Sequence, residues 1–413
     1  MGLPWALKHG IKQHFMNAQP LYDLTPLASL LGLGALLALG PLAWVYWRQR
    51  RNAPLQRLQA LRLFTLFLTF DLILFGAFTR LTDSGLGCPD WPGCYGNTSP
   101  LGAHHAISAA QDAMPTGPVT QAKAWIEMIH RYLATAVGAL IIVMAAASWL
   151  RWRARSRAWQ VQKPAEMSPW LATFTLFWVG LQGAFGAWTV TLKLFPAIVT
   201  LHLAGALVLL ALLGVQVVRG STSTVPLPMS LAMRRWLTLV FVLLALQILL
   251  GGWVSTNYAV LACSDFPQCQ NLWWPEMNFQ QGFEIWRHLG VTGTGEPISF
   301  AALTAIHYVH RLMAYLVLTL LAVLAWQLNR LAAWRAHSRV LAALVGLQLA
   351  TGLSNVVLDW PLLAALLHTG GSAALVLTLT WIAASVAPIT KATVPAALRA
   401  LAMPAQTNAG GLV

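Results

Sequence analysis

The sequence alternates long apolar runs with short polar segments, many of them basic. Apolar runs of about 18 to 25 residues recur, and each is long enough to cross a hydrocarbon core of about 30 Å as a helix. The pattern predicts nine spans, at residues 24–47, 61–78, 127–150, 169–190, 198–218, 236–256, 304–327, 340–357 and 362–387. We therefore expect an all-α integral membrane protein.

The first predicted span, 24–47, stands apart from the other eight. Residues 1–23 contain only Lys8 and Lys12 as basic side chains, whereas several arginines follow the apolar run. A secretory signal peptide has the opposite polarity, with its positive charges first. We expect an uncleaved extra helix with its N-terminus outside, and the glycines and prolines of this run leave a tilted or interfacial helix open.

The basic residues set the expected orientation. Although the net charge is +14, 57% of the 413 residues are hydrophobic, so no compact soluble segment remains to form a nucleic-acid module. Loops 48–62, 151–168, 219–235, 328–339 and 388–413 contain 18 Lys and Arg, and the alternate loops with the N-terminal segment contain 6. This bias predicts a cytoplasmic C-terminus and an outside N-terminus. With no Arg- and Ser-rich presequence in view, a bacterial inner membrane is favoured.

The two halves of the chain resemble each other. FGAFTRLTDSGLGCPDWPGC matches GGWVSTNYAVLACSDFPQC, LQGAFGAWTV matches LQLATGLSNVV, and MIHRYLA matches YVHRLMA. Four spans per copy give both copies the same orientation, which is a parallel repeat. The predicted division is an N-terminal segment at 1–60, four-helix repeats at 61–218 and 236–387, a cytoplasmic linker at 219–235 and a cytoplasmic tail at 388–413.

Four histidines occupy matched positions, about four to seven residues inside the outer end of a predicted span. At 1.5 Å per residue they lie roughly 6–10 Å below the surface. An imidazole is costly in lipid without a partner, and facing helices of a bundle can each supply one ligand to an iron atom. A lone histidine would more often be a satisfied core residue, but the matched set predicts two bis-histidine metal or heme sites. These histidines are His130 and His202 in the first repeat, and His310 and His368 in the second.

One difference between the repeats suggests unequal roles. Glu127 is three residues before His130 and therefore on the same helix face. Its counterpart in the second repeat is His307, three residues before His310. A carboxylate beside a heme iron could accept a proton or position a water molecule, so the first half is the candidate reactive site. The alternative is an interfacial carboxylate paired with a neighbouring cation.

Three further charges lie within or at the ends of spans. Arg131 and Arg311 directly follow His130 and His310, and heme propionates or hydrogen bonds between helices are their candidate partners. Asp71 falls in the middle of the second span without a charged counterpart in the second repeat. Such a residue should face the bundle interior or a polar partner, and its role stays open.

The four cysteines form two equally spaced pairs in the long outer loops. Cys88 and Cys94 lie in the first loop, and Cys263 and Cys269 in the second, all on the side opposite the basic loops. An oxidising compartment favours two disulfides there. Pairing within each loop is expected because the repeat preserves it, and a zinc site is the rival. The first pair could be redox-active or could simply shape the loop.

These motifs together resemble the heme A synthase family over about residues 61–387. The resemblance depends on FGAFTRLTDSGLGCPDWPGC, EMIHR, HYVHR, the second Cys loop and the histidines on the fourth and eighth core spans. It implies an eight-helix core that converts heme O to heme A by oxidising a ring methyl group to a formyl group. It further implies Glu127 as the catalytic carboxylate, His130 and His202 as ligands of the substrate heme, and His310 and His368 as ligands of a heme B.

Other functions are compatible with part of this pattern. A non-catalytic diheme b-type electron carrier would share the four ligands but give Glu127 no chemical task. A heme transporter would need access from both sides, and no broken helices mark such a path. Besides lipid and heme O, a docking heme O synthase and further copies of the chain are candidate partners, while the electron acceptor stays open. Three features depart from the family pattern: the N-terminal helix, Asp71, and His307 as a second candidate ligand beside His310.

Overall fold

The computed structural model describes residues 25–157, 168–221 and 226–387, and helices are its regular elements. The predicted tail at 388–413 and residues 1–24 lie outside the described residues. In chain order the helices are α1 (Thr25–Arg48), α2 (Pro54–Leu81), α3 (His104–Ala113), α4 (Gln121–Arg157), α5 (Trp170–Thr191), α6 (Pro196–Gly220), α7 (Leu231–Thr256), α8 (Phe279–Gly282), α9 (Phe300–Asn329), α10 (Arg335–Val357) and α11 (Leu362–Ser385). The all-α expectation is confirmed.

Every one of the nine predicted spans is a long helix. Eight of them are long and apolar enough to cross a membrane. The ninth, α5, has 22 residues and so extends about 33 Å, although its tryptophans, glutamine and glycines lower its hydropathy. Several helices extend beyond their predicted spans, and the largest differences are at the start of α2 and the end of α4. The segment 48–62 was expected to be a loop, but α2 begins at Pro54, where proline suits the first helical turn, and α4 extends to Arg157.

The long helices form two closed four-helix units. In the first unit α2, α4, α5 and α6 pack in a ring, and in the second unit α7, α9, α10 and α11 pack in the same order. Helix α1 packs along α4. The units meet mainly through α6 and α11, which are equivalent helices, and through the equivalent contacts α6–α7 and α11–α2. This approximate two-fold arrangement agrees with a parallel repeat, while the predicted division at 219–235 stays a prediction.

Each unit has its own apolar core, formed mainly by segments that follow the histidines along the chain. In the first unit Leu140, Leu210 and Leu213 are fully buried, and in the second unit Leu321 and Leu324 are. These close-packed layers lie in the later turns of the histidine-bearing helices, and the histidines lie nearer to the end of each bundle that carries the Cys loops.

The two Cys loops have the same local structure. A cis proline follows Trp91 in one loop and Phe266 in the other. The carboxylate of Asp90 accepts the backbone N–H groups of residues 95 and 96 at 2.6 and 2.8 Å. Asp265 accepts those of residues 270 and 271 at 2.7 and 2.8 Å. The repeat therefore extends from the helices into the loops that cover the histidines.

Candidate histidine sites

The two histidines of each predicted pair lie on helices of the same four-helix unit. His130 on α4 and His202 on α6 are on diagonally opposite helices of the first ring, and His310 on α9 and His368 on α11 are placed in the same way in the second ring. All four side chains are partly buried. Two imidazoles from opposite helices of a bundle are a donor set that could hold a heme iron. Iron ligation itself stays a prediction.

A glycine on the preceding long helix lies against each imidazole. An ideal Cβ built on this glycine would come 2.9 to 3.4 Å from the Cε1 atom of the histidine, so even an alanine would crowd the ring. The pairs are Gly76 with His130, Gly186 with His202, Gly251 with His310 and Gly352 with His368. Sequence reasoning missed these glycines, although both pairs of equivalents align in the repeated motifs. Their absent side chains let the ring and the neighbouring helix approach closely.

The two sites differ at the second nitrogen of each imidazole. In the second unit, Nδ1 of His310 lies 3.0 Å from the side-chain amide of Gln247, and Nδ1 of His368 lies 3.0 Å from the hydroxyl of Thr351. In the first unit, Nδ1 of His130 and Nδ1 of His202 are buried without a hydrogen-bond partner among the described residues. The sites are therefore duplicated in their paired histidines but not in what surrounds them.

Glu127 ties the first Cys loop to α4. One of its carboxylate oxygens accepts the backbone N–H of Cys88 at 2.7 Å, and the other pairs with the guanidinium of Arg131. Arg131 in turn donates to the carbonyls of Asp90 and Gly93 at 3.0 and 2.6 Å. Glu127 is only 4% exposed. The ion pair with a neighbouring cation, one of the two alternatives for Glu127, is present with Arg131. Together with the bond to Cys88, it holds the first Cys loop against α4.

His307 takes the place of Glu127 in the second unit. Its Nδ1 accepts the backbone N–H of Cys263 at 3.3 Å, the contact equivalent to that between Glu127 and Cys88. Arg311 donates to the carbonyls of Asp265 and Pro267, as Arg131 does in the first loop. His307 therefore contacts the loop, which favours His310 as the partner of His368. Both arginines bind loop carbonyls rather than a neighbouring helix, and propionate contacts stay a prediction.

Both predicted disulfides are present. Cys88 is bonded to Cys94 and Cys263 to Cys269, and all four residues are completely buried. No thiol is left free for the zinc alternative. Because burial restricts access to the sulfur atoms, it favours the loop-shaping role over thiol exchange for the first pair.

Asp71 lies on a different face of α2 from the one that contacts the histidine. It follows Leu63 and Phe67 at four-residue spacing, and these two side chains are 54% and 60% exposed. The sequence led us to expect a polar partner, but Asp71 makes no hydrogen bond or ion pair with any residue in the described ranges. It is not part of either histidine site.

The fold and the sites define a multi-pass, all-helical membrane protein with two histidine-bearing four-helix units. The model of the family described as "Cytochrome oxidase assembly protein" matches residues 59–380. The chain belongs to this family.

Curated relatives share this similarity over most of their length. A protein named heme A synthase from Shewanella oneidensis is 37% identical over 324 residues, which cover 76% of this chain and 92% of the relative. Proteins of the same name from Halalkalibacterium halodurans and Rhizobium etli are 26% and 28% identical, with 86% and 88% of each relative covered. All four paired histidines lie within residues 59–380, which the family model matches.

Proposed function

We propose that this chain is a heme A synthase, an oxidoreductase that converts a methyl group of heme O to the formyl group of heme A. The observation that supports this most directly is the pairing of four histidines into two sites of unequal surroundings. The family and the names of its relatives agree with that reading.

In this proposal His130 and His202 bind the iron of the substrate heme O, and His310 and His368 bind a resident heme B. Two observations support the binding of a heme by each pair. The histidines of a pair lie on diagonally opposite helices of one four-helix unit, and the glycine facing each ring allows the close approach of the neighbouring helix. A bound heme B would supply one-electron transfer.

The chemistry consists of two successive hydroxylations of the methyl carbon. The first gives an alcohol, the second gives a gem-diol, and loss of water from the diol leaves the aldehyde. Each hydroxylation adds one oxygen atom to the carbon and passes two electrons to an external electron acceptor. With water as the oxygen source, each hydroxylation also releases two protons. Glu127, three residues before His130, is the candidate proton acceptor. Its carboxylate is oriented by Arg131 and by the N–H of Cys88.

The contacts of Glu127 also support an anchoring role without chemistry, so the test must separate the two roles. Glu127→Gln keeps a carbonyl oxygen for the N–H of Cys88 but cannot accept a proton at neutral pH. His307→Gln is the matched control, because His307 makes the equivalent loop contact in the second unit. If Glu127 acts as a base, only the first substitution abolishes product.

The experiment uses purified full-length protein incubated with heme O and an electron acceptor, with formyl product followed by pyridine hemochrome spectra and mass spectrometry. We expect wild type and His307→Gln to form product, and Glu127→Gln to retain heme while losing about 100-fold or more in rate. A heme-replete wild type that never yields the formyl product would overturn the proposal. Full activity of Glu127→Gln would restrict this residue to anchoring the loop.

We further propose a bacterial inner membrane as the location, with the N-terminus outside and the C-terminus cytoplasmic. The concentration of Lys and Arg in alternate loops supports this orientation. Heme O is poorly soluble in water, so a heme O synthase docked nearby is the proposed donor, and self-association of the chain is a further expectation. Reporter fusions at residues 48–53 and 257–258 should report opposite sides of the membrane.

A further inference from the structure

The hydrogen bonds of Thr351 define the tautomer of one histidine. Its hydroxyl donates to the carbonyl of Leu347, one turn earlier on α10, at 2.7 Å, with the carbonyl of Gln348 at 3.4 Å as a second intrahelical acceptor. The same oxygen lies 3.0 Å from Nδ1 of His368 on α11. When the hydroxyl proton is donated to the carbonyl of Leu347, the hydroxyl oxygen is left to accept a hydrogen bond from Nδ1–H of His368. The lone pair of this imidazole is then on Nε2.

The backbone of His368 is held by the same stretch of α10. The side-chain amide of Gln348 donates to the carbonyl of His368 at 2.9 Å. A Cβ on Gly352 would lie 3.3 Å from the Cε1 atom of the ring. Three neighbouring residues of α10 thus contact His368. Gln348 contacts its backbone, Thr351 contacts Nδ1 and Gly352 lies against Cε1, and together these contacts restrict rotation of the ring.

The first unit lacks this arrangement. Phe185 occupies the position equivalent to Thr351 in the repeated motif, and it offers no hydroxyl. Nδ1 of His202 is buried without a hydrogen-bond partner among the described residues. Gln182, the equivalent of Gln348, has an amide oxygen that is likewise buried and unpaired there. The repeat therefore keeps the glutamine but not the hydroxyl.

Gln247 does not define the tautomer of His310 in the same way. The side-chain amide of Gln247 lies 3.0 Å from Nδ1 of His310 and 3.2 Å from the carbonyl of His310, and an amide can present either its nitrogen or its oxygen to a ring nitrogen. Iron ligation by His310 through Nε2 requires the amide oxygen to face Nδ1. The hydroxyl of Thr351 differs from this amide because its proton is donated to the carbonyl of Leu347, so that its oxygen is left to face Nδ1 of His368.

We infer that Thr351 is a positioning residue that fixes His368 for iron ligation through Nε2 and strengthens the bond to a resident heme. The inference rests on the proposed function, because it takes the second unit to hold that heme. A hydrogen bond from Nδ1–H raises the basicity of Nε2 and stabilises the ferric state more than the ferrous state. His202 lacks such a partner, which suits a site whose heme must leave as product.

The test compares Thr351→Val, which keeps the shape but removes the hydroxyl, with Thr351→Ser, which restores it. Phe185→Val is the matched control at the equivalent first-unit position. Purified full-length variants loaded with heme are studied by spectroelectrochemical titration and by heme transfer to excess apomyoglobin. Thr351→Ala provides a second variant without the hydroxyl if the valine variant is not monodisperse.

We expect Thr351→Val to raise the midpoint potential of one heme component and to speed its loss by about 10- to 100-fold. Thr351→Ser should behave as wild type, and Phe185→Val should leave that component unchanged. Valine and serine variants that behave alike, or an unchanged potential in both hydroxyl-free variants, would overturn the inference. Neither readout requires turnover, so a wild type that binds heme but makes no formyl product would refute the proposed activity alone.

Discussion

The hydroxyl of Tyr258 donates a 2.6 Å hydrogen bond to the carboxylate of Asp83, 175 residues earlier. When the two Cys motifs are aligned, these residues are each other's counterparts in the two repeats. Arg80 joins them, with its guanidinium 3.2 Å from Asp83 and 4.1 Å above the ring of Tyr258. Equivalent positions thus meet where the two units contact each other, next to the starts of the two Cys loops.

This contact predicts an alkaline dependence of stability. Burial, assisted by Asp83 and opposed by Arg80, raises the pKa of Tyr258 above its ordinary value near 10. The neutral phenol makes the bond, so its contribution is fully present below the ordinary pKa and is lost as pH rises through the raised native pKa. We expect the thermal midpoint of wild type to fall more steeply than that of Tyr258→Phe above about pH 10.

Tyr315→Phe is the control for this experiment, because the Tyr315 hydroxyl makes no hydrogen bond with the described residues. Differential scanning fluorimetry in detergent from about pH 8 to about pH 11 gives the comparison. Parallel pH profiles for wild type and Tyr258→Phe would contradict the proposed link between the units.

The glycines that face the imidazoles predict a selective loss of heme. A Cβ on Gly76 would lie 3.0 Å from Cε1 of His130, whereas a Cβ on Gly138 would meet nothing within 4 Å. We therefore expect Gly76→Ala to displace His130 and to reduce heme in the first site, while Gly138→Ala binds heme normally. Pyridine hemochrome spectra on both purified proteins make the measurement. Equal heme content in the two variants would show that the ring tolerates the extra methyl group.

The histidine pairs predict how much heme each substitution removes. Because an iron with one remaining imidazole is held less tightly, His310→Ala and His368→Ala should each lower the heme B content by the same amount, and their combination should lower it no further. His104→Ala, in a helix of the outer loop, is the control that should retain all heme. Additive losses in the double variant would mean that the two residues serve different irons.

Removing a disulfide should lower the thermal stability of the protein more than it lowers the rate of product formation. Replacing Cys88 and Cys94 together by serine removes a short cross-link worth about 2 kcal/mol in the chain-entropy description. We expect a lower thermal midpoint with residual activity at low temperature, because the loop also keeps its contacts with Glu127 and Arg131. The Cys263/Cys269 double serine variant should lose similar stability. Complete loss of product in a well-folded Cys88/Cys94 variant would instead support a redox role.

Much of the fold could be predicted because each span is a continuous apolar run long enough to cross a bilayer. The beginning of α2 at Pro54 was missed because its first turns are polar and amphipathic, and the helix α3 was missed because it covers a loop rather than crossing the membrane. The additional turns at the start of α2 and at the end of α4 contain polar and basic residues, so the hydropathy of the sequence does not reveal them.

The division of the four histidines between two units could be predicted because the duplication gives them matched positions in the sequence. The contacts of Gly76, Thr351 and Gln247 could not, because each depends on which faces of two helices meet. The substitution of His307 for Glu127 was visible in the sequence, but its meaning was not. Only the structure shows that both side chains accept the backbone N–H of the first cysteine in their loop.

Helix α1 has a consequence for lateral entry from the bilayer. It packs along α4, with the backbone of Gly34 directly against Thr135. The equivalent of Thr135 in the second unit is Tyr315 on α9, which is 43% exposed and has no such covering helix among the described residues. On this side of the first bundle, α1 therefore separates α4 from the surrounding lipid. The equivalent side of α9 in the second bundle is not covered by a helix of the described residues. Lateral entry into the first bundle would therefore have to avoid the side of α4 that α1 covers.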